Sequence, residues 1–445
     1  MTRLHILTVA MLILGATTAR AQDASTPTIP LDAMVQAGLA HNPTLRAAAA
    51  GVQAAAAATS AARASLFPRV TVTESWQRGD QPVFVFSALL ASRRFAASNF
   101  AIDQLTHPDA LGYFHGTAAV EQLLFDGGAR KARIDAALAT QQIAGTASRE
   151  AALGVAATIA DTYGRLLAVQ AAHRAASSIR EASQADLELA IRRRDAGMVT
   201  EADVLSLRVH VADLEQRIIQ AEGDAAVLRA QLNRLTGEPV TRTFVAVEPS
   251  PRAGTSLPAL DVLLTEARAN RPELQRAAAS EAFADSGRRA ARAAFAPTIA
   301  AQAAYDVSGT RVSGRAASWL VGGEIRWTLA LAGAERAQLI AATAAASRAR
   351  AEADDARAQA EVEVVTALQH VTTARARQAA GVAAVAQARE SQRIIRDRFD
   401  AGLAPVNDLL RAASAVIDAD ARRVGALVDL VTGTARLNLA LGRVQ

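Results

Sequence analysis

The sequence predicts a mainly α-helical protein with a small transmembrane β part, built from one unit that occurs twice. Three observations predict this fold class. Hydrophobic residues make up 51% of the 445 residues but aromatic residues only 4%, which is the composition of alanine-rich helices. Long stretches such as 129–195 contain no proline, so nothing in them interrupts a helix. Short segments of alternating polarity lie next to these helices and supply the β part.

The composition also excludes several classes of protein. The chain has no cysteine, which excludes a disulfide scaffold, a thiol nucleophile, a cysteine-ligated zinc site and an N-terminal lipid anchor of the lipoprotein kind. The 48 basic and 43 acidic residues nearly balance, and basic residues form only short clusters such as Arg192, Arg193 and Arg194. Phosphate tracking requires concentrated positive charge, so no nucleic-acid partner is predicted.

Residues 1–21 are expected to be a secretory signal peptide. Arg3 precedes an apolar run at 6–14, and Ala19-Arg20-Ala21 has the small-x-small pattern of a cleavage site. The run is too short to cross a bilayer, which takes about 20 residues, so cleavage is favoured over a membrane anchor. We expect no later stretch to form a transmembrane helix. A membrane span must then be built from β-strands that close into a barrel.

Comparison of the chain with itself shows an internal duplication. A shift of 229 residues aligns Pro43 with Pro272 and Trp76 with Tyr305, and a shift of 205 aligns Asp203 with Asp408. The two shifts differ by 24 residues, so the first copy carries an insertion of that size, expected as a surface loop between about 79 and 108. We expect a first repeat at 22–236, a linker or equatorial segment at 237–258 and a second repeat at 259–442.

Each repeat is predicted to hold helices, two strands and two long helices in the same order. The predicted strands lie at about 67–77, 114–125, 298–308 and 318–329. The predicted long helices lie at about 129–195, 201–236, 333–400 and 406–441, after shorter helices that in the first repeat lie at about 31–40 and 43–66. A helix over 129–195 would be about 100 Å long, so it needs support other than a compact core.

The last helix of each repeat carries the pattern of a coiled coil, with apolar residues at 3,4 spacing and charges elsewhere. The first seam comprises Leu207, Val211, Leu214, Ile218, Ala221, Ala225, Leu228, Leu232 and Leu235. The second comprises Leu410, Ala413, Ile417, Ala421, Val424, Val428, Val431 and Ala435, with one 4,4 step that perturbs the supercoil. Alanines in these seams allow helices to approach closely.

The predicted strands carry the membrane signal. Apolar residues alternate with mostly polar ones, and Trp76, Tyr305, Trp319 and Trp327 fall on the apolar faces, where they are candidates for a lipid-facing belt. A soluble antiparallel sheet alternates too, but an exported chain with very long helices favours the membrane. A barrel with a wide lumen needs more than about eight strands. Three copies of four strands would supply twelve, so an oligomer is predicted.

This duplicated order of elements resembles the TolC-like outer-membrane efflux protein family over residues 28–442. The residues that carry the resemblance are Asn42-Pro43, Arg271-Pro272, Leu66-Phe67-Pro68, Phe295-Ala296-Pro297, Phe125-Asp126-Gly127-Gly128, Ala196-Gly197 with Asp203-Val204-Leu205, and Phe399-Asp400-Ala401-Gly402-Leu403 with Asp408-Leu409-Leu410. The second turn departs from the pattern, since Leu331-Ala332-Gly333 replaces Asp-Gly-Gly. The lack of cysteine places the chain with the unlipidated members.

The resemblance implies a homotrimer with a twelve-stranded barrel in the outer membrane lipid of a Gram-negative-type envelope and an α-helical barrel in the periplasm. Its implied function is the passive exit duct of a tripartite efflux pump for small molecules. The implied partners are a periplasmic adaptor (membrane fusion) protein and an inner-membrane RND or ABC-type pump. A type I protein secretion duct and a periplasmic coiled-coil scaffold without a pore remain alternatives.

No catalytic, metal or other cofactor site is predicted, so the chain is not expected to be an enzyme. The seven histidines form no His-x-x-x-His or Glu-x-x-His pattern. Gly-x-Ser-x-Gly and phosphate-binding glycine loops are absent from the sequence as well.

The helix tips supply the candidate functional residues. The resemblance places Asp203 and Asp408 at the narrow periplasmic end, where threefold repetition would form carboxylate rings that attract cations; the alternative is simple helix capping. Arg411, one turn beyond Asp408, is positioned to pair with it, and Phe399 is a further constriction candidate. The candidates for adaptor contact are Gly197, Gly402 and Leu403, although glycine is also an ordinary helix C-cap.

Overall fold

The computed structural model describes residues 27–248, 257–328 and 332–443. The expected signal peptide, part of the expected linker and Leu331 of the second turn lie outside these residues. The chain is mainly helical, as the sequence predicts.

The first repeat and the start of the linker, residues 27–248, contain four strands and six α-helices. In chain order they are β1 (Thr28–Ile29), α1 (Leu31–His41), α2 (Pro43–Ala64), β2 (Arg69–Gly79), α3 (Pro82–Ala91), a 3-10 turn (Ala97–Phe100), α4 (Ile102–Thr106), β3 (Leu111–Phe125), α5 (Ala129–Asp195), α6 (Glu201–Thr236) and β4 (Val245–Ala246). Helix α5 runs for 67 residues and α6 for 36.

The second repeat has the same order of helices and sheet strands without the insertion, and its described residues have no counterpart of β1 or β4. Its described elements are α7 (Leu260–Asn270), α8 (Pro272–Ala293), β5 (Thr298–Gly309), β6 (Ala316–Arg326), α9 (Ala334–Asp400) and α10 (Val406–Leu441). Helix α9 also has 67 residues and α10 also has 36. The duplication seen in the sequence is therefore a duplication of helix lengths.

The two copies stabilise equivalent helix starts by different chemistry. The Asn42 side chain accepts a hydrogen bond from the Thr44 amide (2.8 Å) and donates one to the Leu235 carbonyl (2.9 Å), with Pro43 at the first helical position. Arg271 replaces Asn42 in the second copy. Its guanidinium is buried and pairs with Glu273 (3.3 Å) and Glu363 (2.5 Å). The second copy thus exchanges a helix cap for an ion-pair network.

The turn from β3 into α5 explains the Asp126-Gly127-Gly128 sequence. The Asp126 carboxylate accepts hydrogen bonds from the amides of Gly128 (3.1 Å) and Arg130 (2.7 Å). Gly127 has φ +64°, and a Cβ there would lie 2.8 Å from the Ala293 carbonyl oxygen. Glycine is therefore required both by the backbone conformation and by the neighbouring helix.

Strands β2, β3, β5 and β6 form one antiparallel sheet in that order, while β1 and β4 form a short parallel pair. Within the described part of the chain, β2 and β6 each pair on one side only, so the sheet is open. Trp76 lies opposite Phe114, and Tyr305 lies between Ala118 and Trp319. Paired residues share a face in an antiparallel sheet, so the register places the aromatic candidates on a common face.

The interior is divided into several clusters along the helices. One cluster surrounds Tyr163, whose hydroxyl contacts the carbonyls of Ile29 (2.8 Å) and Val247 (2.9 Å). Another lies where the α5–α6 and α9–α10 hairpins end. The long helices are held together by a series of seams, as their length requires.

The second coiled-coil seam was only partly predicted correctly. Ala413, Val424, Val431 and Ala435 are buried, but Ala421 is exposed. The buried residues of this helix missed by the prediction are Val406, Leu409, Val416, Ala419, Ala426, Leu427, Gly433, Leu437, Ala440 and Leu441. Helix α10 packs against both α9 and α5, so it buries a wider face than the single stripe of a two-helix seam.

The insertion in the first copy is not the plain surface loop that we expected. It folds into α3, the 3-10 turn and α4. Pro82 occupies the first turn of α3, and Val85 and Ala88 of that helix are buried. Proline fits the first turn because it lacks only an amide that has no partner there.

We expected no stretch after the signal peptide to suit a transmembrane helix. Judged by length and composition alone, this expectation was wrong. Helices α5 and α10 each contain an 18-residue window that is apolar enough to cross a bilayer. These windows are 56% and 44% buried against the rest of the chain, as expected for alanine-rich packed helices. Two such helices are weak evidence for a span, and we assign none to them.

Candidate functional site

The two helical hairpins end side by side and share one apolar cluster. The first hairpin contributes Leu187, Ala190, Val204, Leu207 and Val211, and the second contributes Phe399, Val406 and Leu409. The turns of the two hairpins are thus parts of one tip, which contains all the constriction and adaptor candidates predicted from the sequence.

Gly197 and Gly402 end the two longest helices in the same way. Their φ angles are +73° and +74°, in the left-handed region that favours glycine. The Gly197 and Met198 amides donate to the carbonyls of Arg194 and Arg193, both at 2.8 Å, and Gly402 and the following residue repeat the arrangement. A Cβ at either glycine would have no neighbour within 4 Å, so backbone conformation alone requires glycine.

The tip turns also expose apolar side chains. Met198 and Leu403 both project into solvent next to their glycines. Leu403 was among the candidates predicted from the sequence, and Met198 is its neighbour on the first hairpin. Exposed apolar side chains at the end of a long rod are suited to contact another protein.

Asp203 is committed to capping α6. Its carboxylate accepts from the Thr200 amide (3.0 Å) and hydroxyl (2.7 Å), while the Thr200 hydroxyl accepts from the Asp203 amide (3.2 Å). This reciprocal capping box occupies the carboxylate within its own turn.

Asp408 occupies the equivalent position but does not cap. Helix α10 has Pro405 at its N-cap, with no side-chain hydrogen bond. The Asp408 carboxylate has an ion-pair contact of 3.9 Å with Arg411, whose side chain is 83% exposed. A pair this long and exposed contributes little, so the Asp408 charge is available to act outside its own turn.

Phe399 lies inside the tip rather than on its surface. Its side chain is 2% exposed, and the Arg193 guanidinium lies 5.0 Å from its ring centroid. Arg193 also donates to the carbonyls of Phe399 (2.9 Å) and Asp400 (2.7 Å). In this conformation Phe399 joins the two hairpins, and its ring faces the protein interior.

An ion pair that sequence reasoning missed is a largely buried polar link between the hairpins. Arg396 of α9 donates to Asp186 of α5 at 2.7 Å, and the Asp186 side chain is 13% exposed. Burial raises the pKa of the Asp186 carboxyl, although the hydrogen bond from Arg396 opposes this change. The two residues are 210 positions apart, so no local spacing in the sequence predicts their contact.

The opposite end of the molecule presents the sheet. Its aromatic face carries Trp76, Tyr305 and Trp319, all exposed, and Trp327 lies just beyond β6 with its indole NH donating to the Phe295 carbonyl (3.2 Å). The other face is polar. A row of hydrogen bonds on it joins Tyr113 to Ser308 (2.9 Å) and Thr117 to Asp306 (2.7 Å), with His115 between them.

The described residues contain no group of three or more histidines, aspartates and glutamates that is suited to hold a metal ion. The features that stand out are instead two ends: a sheet with one aromatic and one polar face, and a helical tip held by ion pairs.

Comparison with known proteins supports this description. The model of the outer membrane efflux protein family matches residues 34–238 and 263–443. A curated relative, the pyoverdine export outer membrane protein OpmQ of Pseudomonas aeruginosa, is 27% identical over 289 residues. That match covers 64% of this chain and spans 57% of the length of OpmQ.

Solved structures show the same fold. The outer membrane protein VceC of Vibrio cholerae superposes with a TM-score of 0.77 at 21% identity, covering 93% of this chain and 96% of VceC. The CmeC outer membrane channel of Campylobacter jejuni gives 0.79 at 17% identity, covering 99% and 94%.

Proposed function

The chain belongs to the outer membrane efflux protein family, and on that premise we propose that it is an outer-membrane channel-tunnel, the passive exit duct of a tripartite efflux pump. The observation that carries the proposal is the sheet. It has an exposed aromatic face, a polar face and, within the described residues, an unpaired edge on both β2 and β6. Unpaired backbone groups are costly in lipid, so the strands must join those of other copies.

The assembly is a homotrimer whose twelve strands close a barrel in the outer membrane, with the polar face inward and the aromatic belt toward lipid. Exposed apolar residues along the helices support contacts between copies. Val209 and Ile219 of α6 and Val362 and Ile394 of α9 are all solvent-exposed in the isolated chain. Burying them between neighbouring chains would form the wall of an α-helical barrel in the periplasm.

The tip is the periplasmic gate. The Asp186–Arg396 link and the Arg193 contacts hold the two hairpins together in the closed state. Because Asp408 caps no helix, its carboxylates from the three chains of the trimer form a ring at the constriction. In each chain, Arg411 offsets part of the negative charge of this ring. Opening requires the hairpins to separate, which exchanges these contacts for solvent.

The partners are a periplasmic adaptor protein and an inner-membrane pump of the RND or ABC type, which supplies the energy. The adaptor contacts the exposed turns around Gly197, Gly402 and Leu403. The cargo is a small molecule rather than a protein. The relative OpmQ supports this choice, because its name records export of the small molecule pyoverdine.

Fractionation and conductance test the proposal together. The full chain, expressed in a Gram-negative host, is expected in the outer membrane as a heat-modifiable trimer that forms ion channels in planar bilayers. A protein released by osmotic shock that gives no channels would instead identify a periplasmic scaffold. Deletion of the chromosomal gene is expected to raise sensitivity to the pump's small-molecule substrates, with restoration by the wild-type gene as the control.

A further inference from the structure

The sheet consists of two β-hairpins, β2–β3 and β5–β6. Their connections, at the end of the sheet away from the long helices, differ in length and structure. Strands β5 and β6 are joined by six residues, 310–315, whereas the connection between β2 and β3 contains α3, the 3-10 turn and α4. We call residues 82–106 the helical insertion. The second copy lacks it, so the common fold does not require it.

The helical insertion has a small core of its own. The ring centroids of Phe86 and Phe95 are 4.6 Å apart, and those of Phe95 and Phe100 are 5.1 Å apart, both with edge-on geometry. Val85 of α3 is buried, and the Ser92 hydroxyl donates to the Ala88 carbonyl at 2.6 Å. These contacts give the insertion a defined shape.

The insertion lies against the polar face of the sheet. The ring of Phe84 contacts that of Tyr113 edge-on, with centroids 6.1 Å apart. Phe84 also lies 3.7 Å from the position of a Cβ on Gly79. Tyr113 pairs with Gln77, and Gly79 with Leu111, so all four belong to the face opposite Trp76 and Phe114. The side chain that packs on the sheet therefore approaches it from the polar side.

Two arginines extend these contacts across the sheet. The Arg93 guanidinium donates to the Ala317 carbonyl of β6 at 2.9 Å, and Arg94 donates to the Thr310 hydroxyl in the β5–β6 turn. The insertion thus reaches from the hairpin that contains it to the far edge of the other hairpin. Ser308 on the polar face is 3% exposed at this end of the sheet.

We propose that the helical insertion is a cap on the lumen side of the barrel, docked across the distal end of the sheet. The three insertions of the trimer together restrict the outer opening of the channel. This inference rests on the proposed function, because the polar face becomes a lumen only in the closed barrel. Val83, Leu90, Phe100 and Ile102 remain exposed on the insertion. Apolar side chains that line the remaining opening would raise the barrier to ions, as hydrophobic constrictions do.

Single cysteines test the docking, because the chain has none of its own. Ser308→Cys places a thiol on the polar face at the end of the sheet that the insertion crosses, and Val312→Cys places a control thiol on the exposed β5–β6 turn. Intact cells are treated with a membrane-impermeant maleimide. We expect rapid labelling of the control and labelling at least tenfold slower of Ser308→Cys, with a tenfold gain when 80–110 is replaced by the sequence of 310–315.

Arg93→Ala combined with Arg94→Ala is a second variant, which removes the bonds across the sheet but keeps the aromatic core of the insertion. It is expected to speed labelling of Ser308→Cys in trimers of normal heat stability. Equally fast labelling of both thiols with the insertion intact would overturn the cap. Absence of labelling at the control would instead contradict the outer-membrane topology, so the two failures are distinguishable.

Conductance tests the restriction itself. The measurement is made with Arg396→Ala present, so that the closed tip does not dominate the resistance. Replacing the insertion in this background is expected to increase single-channel conductance by about twofold, and Val83→Asn with Ile102→Asn to increase it less. Unchanged conductance in channels that still open would show that the insertion does not restrict the lumen.

Discussion

The turns of the two helical hairpins have the same backbone conformation but different side-chain contacts. Helices of 67 and 36 residues meet at a left-handed glycine in both copies, and an aspartate stands at the same distance beyond it. In the first copy that aspartate, Asp203, completes a capping box. In the second copy, Asp408 has only a long, exposed contact with Arg411. Duplication has therefore kept the geometry of the tip and released one carboxylate from its structural task.

The largest change in conductance is expected when the ion pair that joins the two helical hairpins is removed. Arg396→Ala leaves the largely buried Asp186 carboxylate without its cation, which favours separation of α5 from α9. Single-channel conductance at neutral pH should rise severalfold. Arg393→Ala is the matched control on the same helix, because its partners Glu390 and Asp397 also belong to α9. If both variants conduct like wild type, the ion pair does not hold the gate closed.

The next effect concerns pH. Burial raises the pKa of Asp186 in the tip as described, which the proposed function takes as its closed state, whereas in an opened tip the exposed carboxyl would have its ordinary pKa. The closed state then binds the proton more tightly, so acidification favours closure, and this contribution is lost as the pH rises through the raised pKa. Bilayer recordings across a pH series should show falling open probability in acid. Asp186→Asn should lack this component, and acid-induced opening that depends on Asp186 would contradict the argument.

The comparison between Asp203 and Asp408 predicts opposite results for stability and selectivity. Asp203→Ala removes a capping box and should destabilise the start of α6 by about 1 kcal/mol. Asp408→Ala removes no capping bond, so thermal unfolding should hardly change, while cation selectivity measured from reversal potentials should decrease. Retained selectivity in Asp408→Ala would eliminate the carboxylate ring.

At the two glycines we expect an effect on stability alone, with no change in selectivity. Gly197→Ala and Gly402→Ala should each cost about 1 kcal/mol, and nearly equally, since both φ angles are left-handed and neither Cβ meets a neighbour. Gly223→Ala within α6 is the control, because it also has open space but an ordinary helical backbone. It should stabilise the helix by about as much in thermal unfolding. A clear difference between Gly197 and Gly402 would show that the tips are not equivalent in backbone.

Sequence reasoning succeeded where a signal repeats along the chain. The absence of proline, the 3,4 spacing and the glycine turns indicated the long helices, and alternation placed Trp76, Tyr305 and Trp319 on one face of the strands. It failed where the signal depends on a third element. The burial of α10 is set by two neighbouring helices, and the Asp186–Arg396 pair joins residues from different repeats. The helical insertion has no counterpart in the second repeat, so internal comparison predicts nothing about its fold. Its position depends on the packing of Phe84 against Tyr113 on the polar face of the sheet.

The equal lengths of α5 and α9 restrict how this protein can change. Losing one residue from either helix would draw its end back by about 1.5 Å and rotate it by about 100°. Asp186 and Arg396 would then no longer face each other, and the two turns would sit at different heights. The seams and the turns stay aligned only if both helices, and their hairpin partners α6 and α10, change by the same number of whole heptads. A longer or shorter pair of hairpins therefore requires coordinated insertions or deletions in both, at equivalent positions separated by 205 residues in the chain.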